Sequence, residues 1–563
     1  MTARVAIFAV LCAGAARAGR YVELGPTRAQ RDSSVPSLDF PFTARADEEL
    51  TGAAVRIAFA APVESMEVLV NDERIALLSG AEPARDIPVR RELLADRNTL
   101  SLRLRDRQGR CMARPHAWVA LKSVGVVLTA DPVPLPDELA LLPLPFFDRG
   151  HDTSAAVPVV LAREPSPGLV RLGALAASWL AVDAPIPIAF QARIGELPDA
   201  RALVLLSGED DAAKLDLPPP RGPSVRMIDH PRHPGSNVKL LVIGGRTEAE
   251  LRIAVESLAV RATRLAGPEV ALAPAKPQPP APPWSAPRWL PSGRPVPFSQ
   301  YPAGGVLAHE GNTPASLSLR FRVAPDLWIW PAEFVLLDLG YSERIPRGSA
   351  PPRLDVEMNG HFLATLPQAK AGSVERVRLR IPREHMRGFN ELLVHVHYAD
   401  PDPCAAEGSA ASGGEPPRVE IAGDSVLHLE KLSHFANLPD VSLFAFDGFP
   451  FTRVPDLGET AVSLPARPAP EELSMVFSVF GQLAQITGRV GTRATFLAAG
   501  SDPGDRDVLA IGTARDNPLI ARWSGALPVR FDGGAARVRR TAPALDLLGG
   551  PEPLLEARRA GEL

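Results

Sequence analysis

Cysteine is almost missing from this chain: three residues in 563, Cys12, Cys111 and Cys404. That is too few for a disulfide-built scaffold, and no CxxC pair offers a zinc or redox site. Past the first twenty residues no stretch is long and apolar enough for a transmembrane helix, the last thirty residues included. Charge of one sign is lacking as well. Lys and Arg number 61 against 65 Asp and Glu, a net −4, which gives no electrostatic reason to expect a nucleic acid. Signature motifs are also absent: there is no HExxH, no nucleophile elbow and no Walker loop. The sequence therefore assigns no catalytic residue, no cofactor and no metal.

Proline is what the chain has in excess. Its 60 prolines are about twice the usual share, which predicts many turns and connectors. At the start, Arg4 precedes the apolar run 5–13, and Ala16-Arg17-Ala18 reads as a cleavage site before Gly19. Residues 1–18 are thus expected to be a signal peptide. Export would leave Cys111 and Cys404 together in an oxidising compartment, either bridged to each other or as two separately buried thiols.

The chain also states one β-rich passage twice. MEVLVNDERIALL (66–78) returns as LDVEMNGHFLATL (354–366), pairing Asn71 with Asn359. Asn98 pairs with Asn390, Cys111 with Cys404 and Ser123 with Ser425, at closely matching intervals. Each copy must close its own core, so the duplication organises the chain. Period-two alternation at 55–59, 66–70 and 99–105 predicts a β-unit over 34–150 with one buried face. Residues 151–272 alternate buried-strand runs (157–161, 202–206, 238–243) with helical faces, one opened by Thr247 and Glu250 as a capping box. A Pro-rich, semi-rigid connector spans 273–298 and a second β-unit 299–430. The second α/β unit, 431–563, is expected to place a strand at 440–446. A helix follows from near Pro470 with Leu473, Val476, Phe477, Phe480 and Leu483 inward, then strands at 494–499 and 507–512.

Weaker signals have ordinary explanations. Gly244-Gly245 resembles the start of a dinucleotide loop, but GGRTEAE lacks the remaining glycines and fits a tight strand-to-helix turn better. His230 with His233 offers two metal-ligand types, but a lone pair in a Pro-rich loop fits a solvated loop better. Glu471-Glu472 fits a helix's first turn. The loop AREPSPG after the first α/β strand offers no phosphate donors, which argues against flavin. The aromatics carry more. Trp118 on a strand after Cys111, and Trp328 with Trp330 facing one way on another, are either core or stacking faces for sugars. A polysaccharide-processing enzyme would need two carboxylates roughly 5–9.5 Å apart in such a cleft, and no Asp/Glu pair stands out.

Four phrases go further: DELALLPLPFFDRG (137–150), APRWLPSGRPVPF (286–298), PDLWIW (325–330) and HFANLPDVSLFAFDGFPFTRVPDLGETAVSLP (434–465). They resemble the periplasmic regulatory subunit of bacterial cellulose synthase, and the likeness runs from about residue 34 to about residue 530. The resemblance implies two jelly-roll carbohydrate-binding domains alternating with two flavodoxin-like α/β domains. It implies a non-catalytic subunit at the periplasmic face of the inner membrane, with the synthase's catalytic subunit and the nascent glucan as partners. Family surface positions correspond to Trp118, Leu142 and Arg149. Family members continue into further strands, an amphipathic helix and a membrane anchor. Here the second α/β unit is expected to be incomplete, through a shortened gene or a missing second chain. The family label of cyclic-di-GMP binding finds no RxxxR and DxSxxG pair here, and is expected to describe the complex.

Overall fold

The computed structural model describes residues 19–538 except 27–29, 31–36, 81–83, 107, 113–116, 302–306, 312–314, 331–332, 347–349, 371, 399–415, 431, 439, 526–528 and 533–534. The expected signal peptide and the last 25 residues lie outside them. The described chain is mostly β-sheet, in several units with few helices. None of its helices is long and apolar enough to cross a membrane.

The first unit is two facing antiparallel sheets. One orders Arg20–Gly25, Leu121–Pro132, Glu48–Phe59 and Ala84–Val89; the other orders Ser37–Thr43, Arg97–Leu104, Val63–Val70 and Glu73–Gly80. Alternation builds the core as predicted. Leu38, Phe40 and Phe42 face Leu100, Leu102 and Leu104 inward, and Val55, Ile57, Val124 and Val126 close the core from the other sheet. The second copy repeats the pattern. Ala315–Arg322, Phe389–Tyr398, Pro352–Met358 and His361–Thr365 form one sheet over a second sheet centred on Phe334–Arg344.

The repeated asparagines are a structural tie. Asn71 sits in the hairpin turn before Glu73–Gly80 at φ 51°, a left-handed conformation that Asn tolerates. Its amide donates to Asn98 Oδ1 (2.9 Å) and Leu93 O (2.7 Å), and its carbonyl accepts from Thr99 N (2.9 Å). Asn98 in turn clasps Ala95, accepting from its N–H and donating to its carbonyl. Asn359, also at φ 51°, makes the same bonds to Asn390 (2.9 Å), His385 O (2.8 Å) and Glu391 N (2.8 Å). Both pairs therefore lock a hairpin to the short 3-10 turn that precedes the next strand. Ser425 is likewise structural: buried, it donates to Ala422 O and accepts from Gly340 N. Cys111 is disulfide-bonded, while Cys404 lies outside the described residues.

Between the sandwiches lies a six-stranded sheet ordered Ile188–Ile194, Ala155–Leu161, Ala202–Ser207, Lys239–Gly245, Ser224–Asp229, Glu269–Ala271. The first four strands run parallel; Ser224–Asp229 runs antiparallel to them and to the edge strand Glu269–Ala271. Helix α1 (Pro167–Ala181) starts at Ser166, whose hydroxyl accepts from Leu169 N (3.1 Å). After the short α2 (Glu209–Lys214), α3 (Glu248–Val260) is capped by Thr247 as expected. Glu250 reaches back one residue further than a capping box requires, to Arg246 N (2.9 Å). Gly245 is a close-approach residue. A Cβ there would lie 2.3 Å from Leu251 N, which accounts for Gly244-Gly245 without a nucleotide.

The second α/β unit departs from expectation at 440–446. That segment is a helix, α4 (Val441–Asp447), not a strand. Asp440 accepts from Ser442 N and Leu443 N, and Gly448 ends the helix at φ 68°, so the two caps outrank the β-prone composition. The strand lies at Thr460–Ser463, between the parallel strands Thr495–Leu497 and Asp507–Ala510. Helix α5 (Pro470–Thr487) follows as predicted, and α6 (Pro518–Trp523) comes later.

The two α/β units share one core. Phe477 and Phe480 of α5 join Leu172, Ala176 and Leu180 of α1 in a single cluster. The approach is close enough that a Cβ on Gly173 would fall 2.7 Å from the Phe477 ring. Helix α5 also stitches the free edge of the first sheet. Ser478 Oγ accepts from Phe190 N (2.9 Å) and Ser474 Oγ from Ala192 N (2.8 Å), while Gln485 Nε2 donates to Ile186 O (2.7 Å). Four helical residues rise about 6 Å and two strand residues about 6.7 Å, so serines at i and i+4 match alternate edge amides. An exposed edge that invites foreign strands is thereby satisfied from within the chain.

The Pro-rich connector is packed. Trp284 N donates to Arg453 O (2.7 Å) and Ala281 N to Asp456 Oδ2 (2.7 Å). The Arg288 guanidinium bonds Val182 O (2.8 Å) at the end of α1 and Gln485 O (2.5 Å) in the last turn of α5. One cation thus answers the negative ends of two helices. Burial holds its pKa below the usual arginine value, with Arg322 and Arg261 acting the same way.

A candidate carbohydrate-contact site at the end of the second sandwich

The first group of expected contact residues does not form a stacking surface. Trp118 lies in a 3-10 turn, Ala117–Ala120, not on a strand, and is 1% exposed inside the first sandwich core. A ring with no free face cannot stack on a sugar. Leu142 is half-buried against the α/β core beside Phe146 and Phe147, while Arg149 is exposed on the turn that follows.

Trp328 and Trp330 lie where the second sandwich meets α4. Leu327–Trp328 pairs with Ser433–His434, which brings in Phe435. Trp330 is 53% exposed and Phe435 48%, while Trp328 is half-buried between them. The Trp328 ring meets Trp330 edge-on at 6.0 Å and Phe435 at 5.0 Å. The Arg383 guanidinium lies 3.9 Å over the Trp328 ring, close cation–π contact. Trp328 Nε1 is buried with no acceptor among the described residues. Nearby, Arg322 stacks on the exposed Phe389 and pairs with Asp447 (2.9 Å). Burial raises the Asp447 pKa against that pairing. Asp447 also fills the space a side chain at Gly388 would need, so the end of α4 is seated on the sandwich. From there Val441 (77% exposed) and Phe446 (72%) extend the apolar surface. Exposed aromatic clusters of this kind mark binding surfaces.

A polar constellation lies directly behind it. Asp326 is buried and uses both carboxylate oxygens: Oδ1 meets His434 Nδ1 at 3.0 Å, and Oδ2 accepts from Trp284 Nε1 at 2.9 Å. The other imidazole nitrogen, Nε2, lies 3.2 Å from Ser292 Oγ. Trp284 stacks on the His434 ring at 3.9 Å and 20°, fixing its plane. A carboxylate can only accept, so Nδ1 carries a proton; in the neutral ring Nε2 then accepts from the Ser292 hydroxyl. The three residues are widely spaced along the chain, and no sequence motif announces them.

Of the histidine pair in the loop 230–233, His233 is part exposed as expected and His230 is not. His230 is fully buried; its Nδ1 accepts from Arg232 N (3.1 Å) and its Nε2 meets Pro198 O (3.0 Å). Asp199, His230 and His233 do bring ligand-type atoms within 4.8 Å of one another. Both His230 nitrogens are already committed to backbone, however, so the trio does not fit a metal. Glu472 accepts from Ala469 N (2.7 Å), the helix-start role that its position suggests.

Comparison with known proteins agrees with this architecture. Three domain models of one family match in order: "Cellulose synthase BcsB, first FD domain" at 138–272, "second CBM domain" at 295–426 and "second FD domain" at 434–555. The chain is similar to a protein named "Cyclic di-GMP-binding protein" of Pseudomonas fluorescens (strain SBW25), 29% identical over 87% of this chain and 70% of that protein. A protein of the same name from Xanthomonas axonopodis pv. citri (strain 306) is 27% identical over 90% of this chain and 69% of its own length. "Putative cellulose synthase 3" of Komagataeibacter xylinus is 26% identical over 70% of this chain and 27% of that protein. With three of its domains matched in sequence order over most of its length, the chain belongs to the BcsB family of cellulose synthase subunits.

Proposed function

We propose that this protein is the non-catalytic regulatory subunit of a bacterial cellulose synthase. In this reading it is exported, stands at the periplasmic face of the inner membrane next to the catalytic subunit, and guides the emerging β-1,4-glucan. The observation that carries the reading is the ordered match of CBM and FD domains to one family. The sandwiches serve as jelly-roll carbohydrate-binding domains. The α/β units serve as flavodoxin-like spacers, the first keeping the parallel 2-1-3 start of such a sheet before turning antiparallel. Glycosyl transfer belongs to the catalytic partner, and cyclic di-GMP acts on the complex rather than on this chain alone.

The glucan contact lies at Trp330, Trp328 and Phe435, where flat faces are exposed beside the Arg383 cation. Leu142 and Arg149 form a lesser surface beside the first sandwich. The test is co-purification of the membrane-assembled protein with the catalytic subunit, joined to synthesis assays. Association together with lost glucan output in a deletion is expected. Full synthesis without this chain would overturn the reading.

A further inference from the structure

We infer that Arg380 and Arg383 make the aromatic surface of the second sandwich selective for a glucan carrying anionic substituents, carboxylate or phosphate. The inference rests on the glucan-contact reading and deepens it. The strand Glu375–Pro382 pairs with Phe334–Arg344 and with no other described strand, so it forms an edge. Arg376, Arg378 and Arg380 alternate outward along it, and Arg383 opens the short 3-10 turn that follows. Charge on an edge strand has a plain use, since it deters foreign strands. Two of the four arginines need no further account: Arg376 pairs with Asp424 and Arg378 with Asp338 (2.5 Å). The other two have no carboxylate partner among the described residues. Each lies over an aromatic ring instead, Arg380 at 5.7 Å from the Phe334 centroid and Arg383 at 3.9 Å from that of Trp328. Glu333 and Glu384, the acids that adjoin Phe334 and Arg383 in sequence, are exposed and pair with neither.

The ligand class follows from what these cations keep free. A guanidinium over a ring spends its face on the ring and retains its in-plane N–H donors, a fork that matches two oxygens of a carboxylate or phosphate. Phe334 is the register partner of Pro382, which lies between the two arginines, so both stacked cations belong to one strip. That strip continues through Trp328 to the exposed Trp330 and Phe435. The 6.0 Å between the two tryptophan rings and the 3.9 Å from Arg383 to Trp328 let a sugar stacked on Trp330 reach the guanidinium with a substituent on its edge. A hydroxyl would gain one ordinary hydrogen bond there. A carboxylate or phosphate would gain a charge-assisted, bidentate one, roughly twice as strong. An acidic peptide would answer the charge but leave the flat faces unused, so the exposed rings favour a sugar.

The full chain is titrated calorimetrically with cellohexaose, carboxymethylated cellohexaose, phosphorylated cellohexaose and poly-glutamate, at low and at high salt. The charged oligosaccharides should bind about tenfold more tightly than the neutral one at low salt, and the gain should shrink at high salt. Arg383→Gln should bring the ratio of charged to neutral affinity close to one, and Arg380→Gln should lower it. Arg376→Gln, whose arginine stacks on no ring, should keep it. A gain confined to one charged oligosaccharide supports the inference and names the group. Equal affinity for neutral and charged glucan, or a gain untouched by Arg383→Gln, overturns the inference and leaves the glucan contact standing. Binding of none of the three oligosaccharides removes the glucan contact and the inference with it. Poly-glutamate bound as tightly as the charged glucan overturns it in favour of an acidic protein partner.

Discussion

The two sandwiches grow from one sequence pattern and use their tryptophans in opposite ways. The first tucks Trp118 into its core ahead of the strand Leu121–Pro132. The second leaves Trp330 in solvent and half-covers Trp328 with Arg383 and Phe435. Their outer faces differ as well. On the first, Glu67 pairs with Arg105 (2.7 Å) and Arg74 (3.1 Å). On the second, His395 meets Glu357 and His397 meets Asp355, at 3.4 and 3.3 Å. Both copies keep what closes the fold, the Asn71–Asn98 and Asn359–Asn390 ties, and differ on the outside. A repeated residue here signals architecture, whereas the tryptophans, which are not repeated, are placed differently in each copy.

The sharpest way to break that contrast is to truncate one tryptophan from each copy. Trp118→Ala should cost about 3–5 kcal/mol of stability, because it opens a large cavity in a close-packed core. Trp330→Ala should change stability by no more than about 0.5 kcal/mol, yet weaken binding of cello-oligosaccharides by roughly tenfold. Denaturant melts and isothermal titration of both variants settle it; equal stability losses would mean that Trp330 is core after all. Next in size, Asn98→Ala and Asn390→Ala should each cost about 2–4 kcal/mol. Each removal strands the partner Asn amide and a backbone N–H, at Ala95 in one copy and Arg387 in the other. Hydrogen exchange at the two hairpins reads each loss separately. A large difference between the copies would show that the tie is not equivalent in the two folds.

What the sequence made legible follows local physics. Period-two alternation located the sandwich cores, and the repeat located the asparagines, though not their bonds. Helix α5 was readable because its apolar positions form one face. Its polar residues Ser474 and Ser478 were not readable. Their partners are main-chain amides of a strand far away in the sequence, which carry no side-chain signature. The segment 440–446 misled because Leu and Phe fit either state, and the deciding caps lie outside the apolar run. Trp118 misled because a 3-10 turn, masked by a strand-like composition, rotates it inward. The Ser292, His434 and Asp326 set was invisible for the same reason as the serines: each residue is ordinary until the connector packs against the strand pair Leu327–Trp328 and Ser433–His434.

The smallest expected effect is the pH response, and it separates the outer faces by sign and window. Burial holds the His397 pKa below the ordinary histidine value even though Asp355 pulls the other way. The unfolded chain then takes up that proton first, so stability falls as pH drops below about 6.5 toward the folded value. On the same sandwich His428 is raised by Glu430 and Asp338, contributing stability at low pH that is lost as pH rises through its folded value. The two offset each other in the native protein. His428→Gln should therefore expose an acid loss in the second sandwich as pH falls below about 6.5, within about 1 kcal/mol because His397 is partly exposed. On the outer face of the first sandwich the partly buried Glu67 titrates. Burial alone would raise its pKa, but Arg105 and Arg74 hold it below the usual carboxylate range. Its contribution is present above about pH 4.5 and is lost only as pH falls through that lowered value. Site-resolved hydrogen exchange from pH 7 to 4 in the His428→Gln protein should show the second sandwich loosening first. Simultaneous loosening of both would mean that the histidine face carries no acid sensitivity of its own.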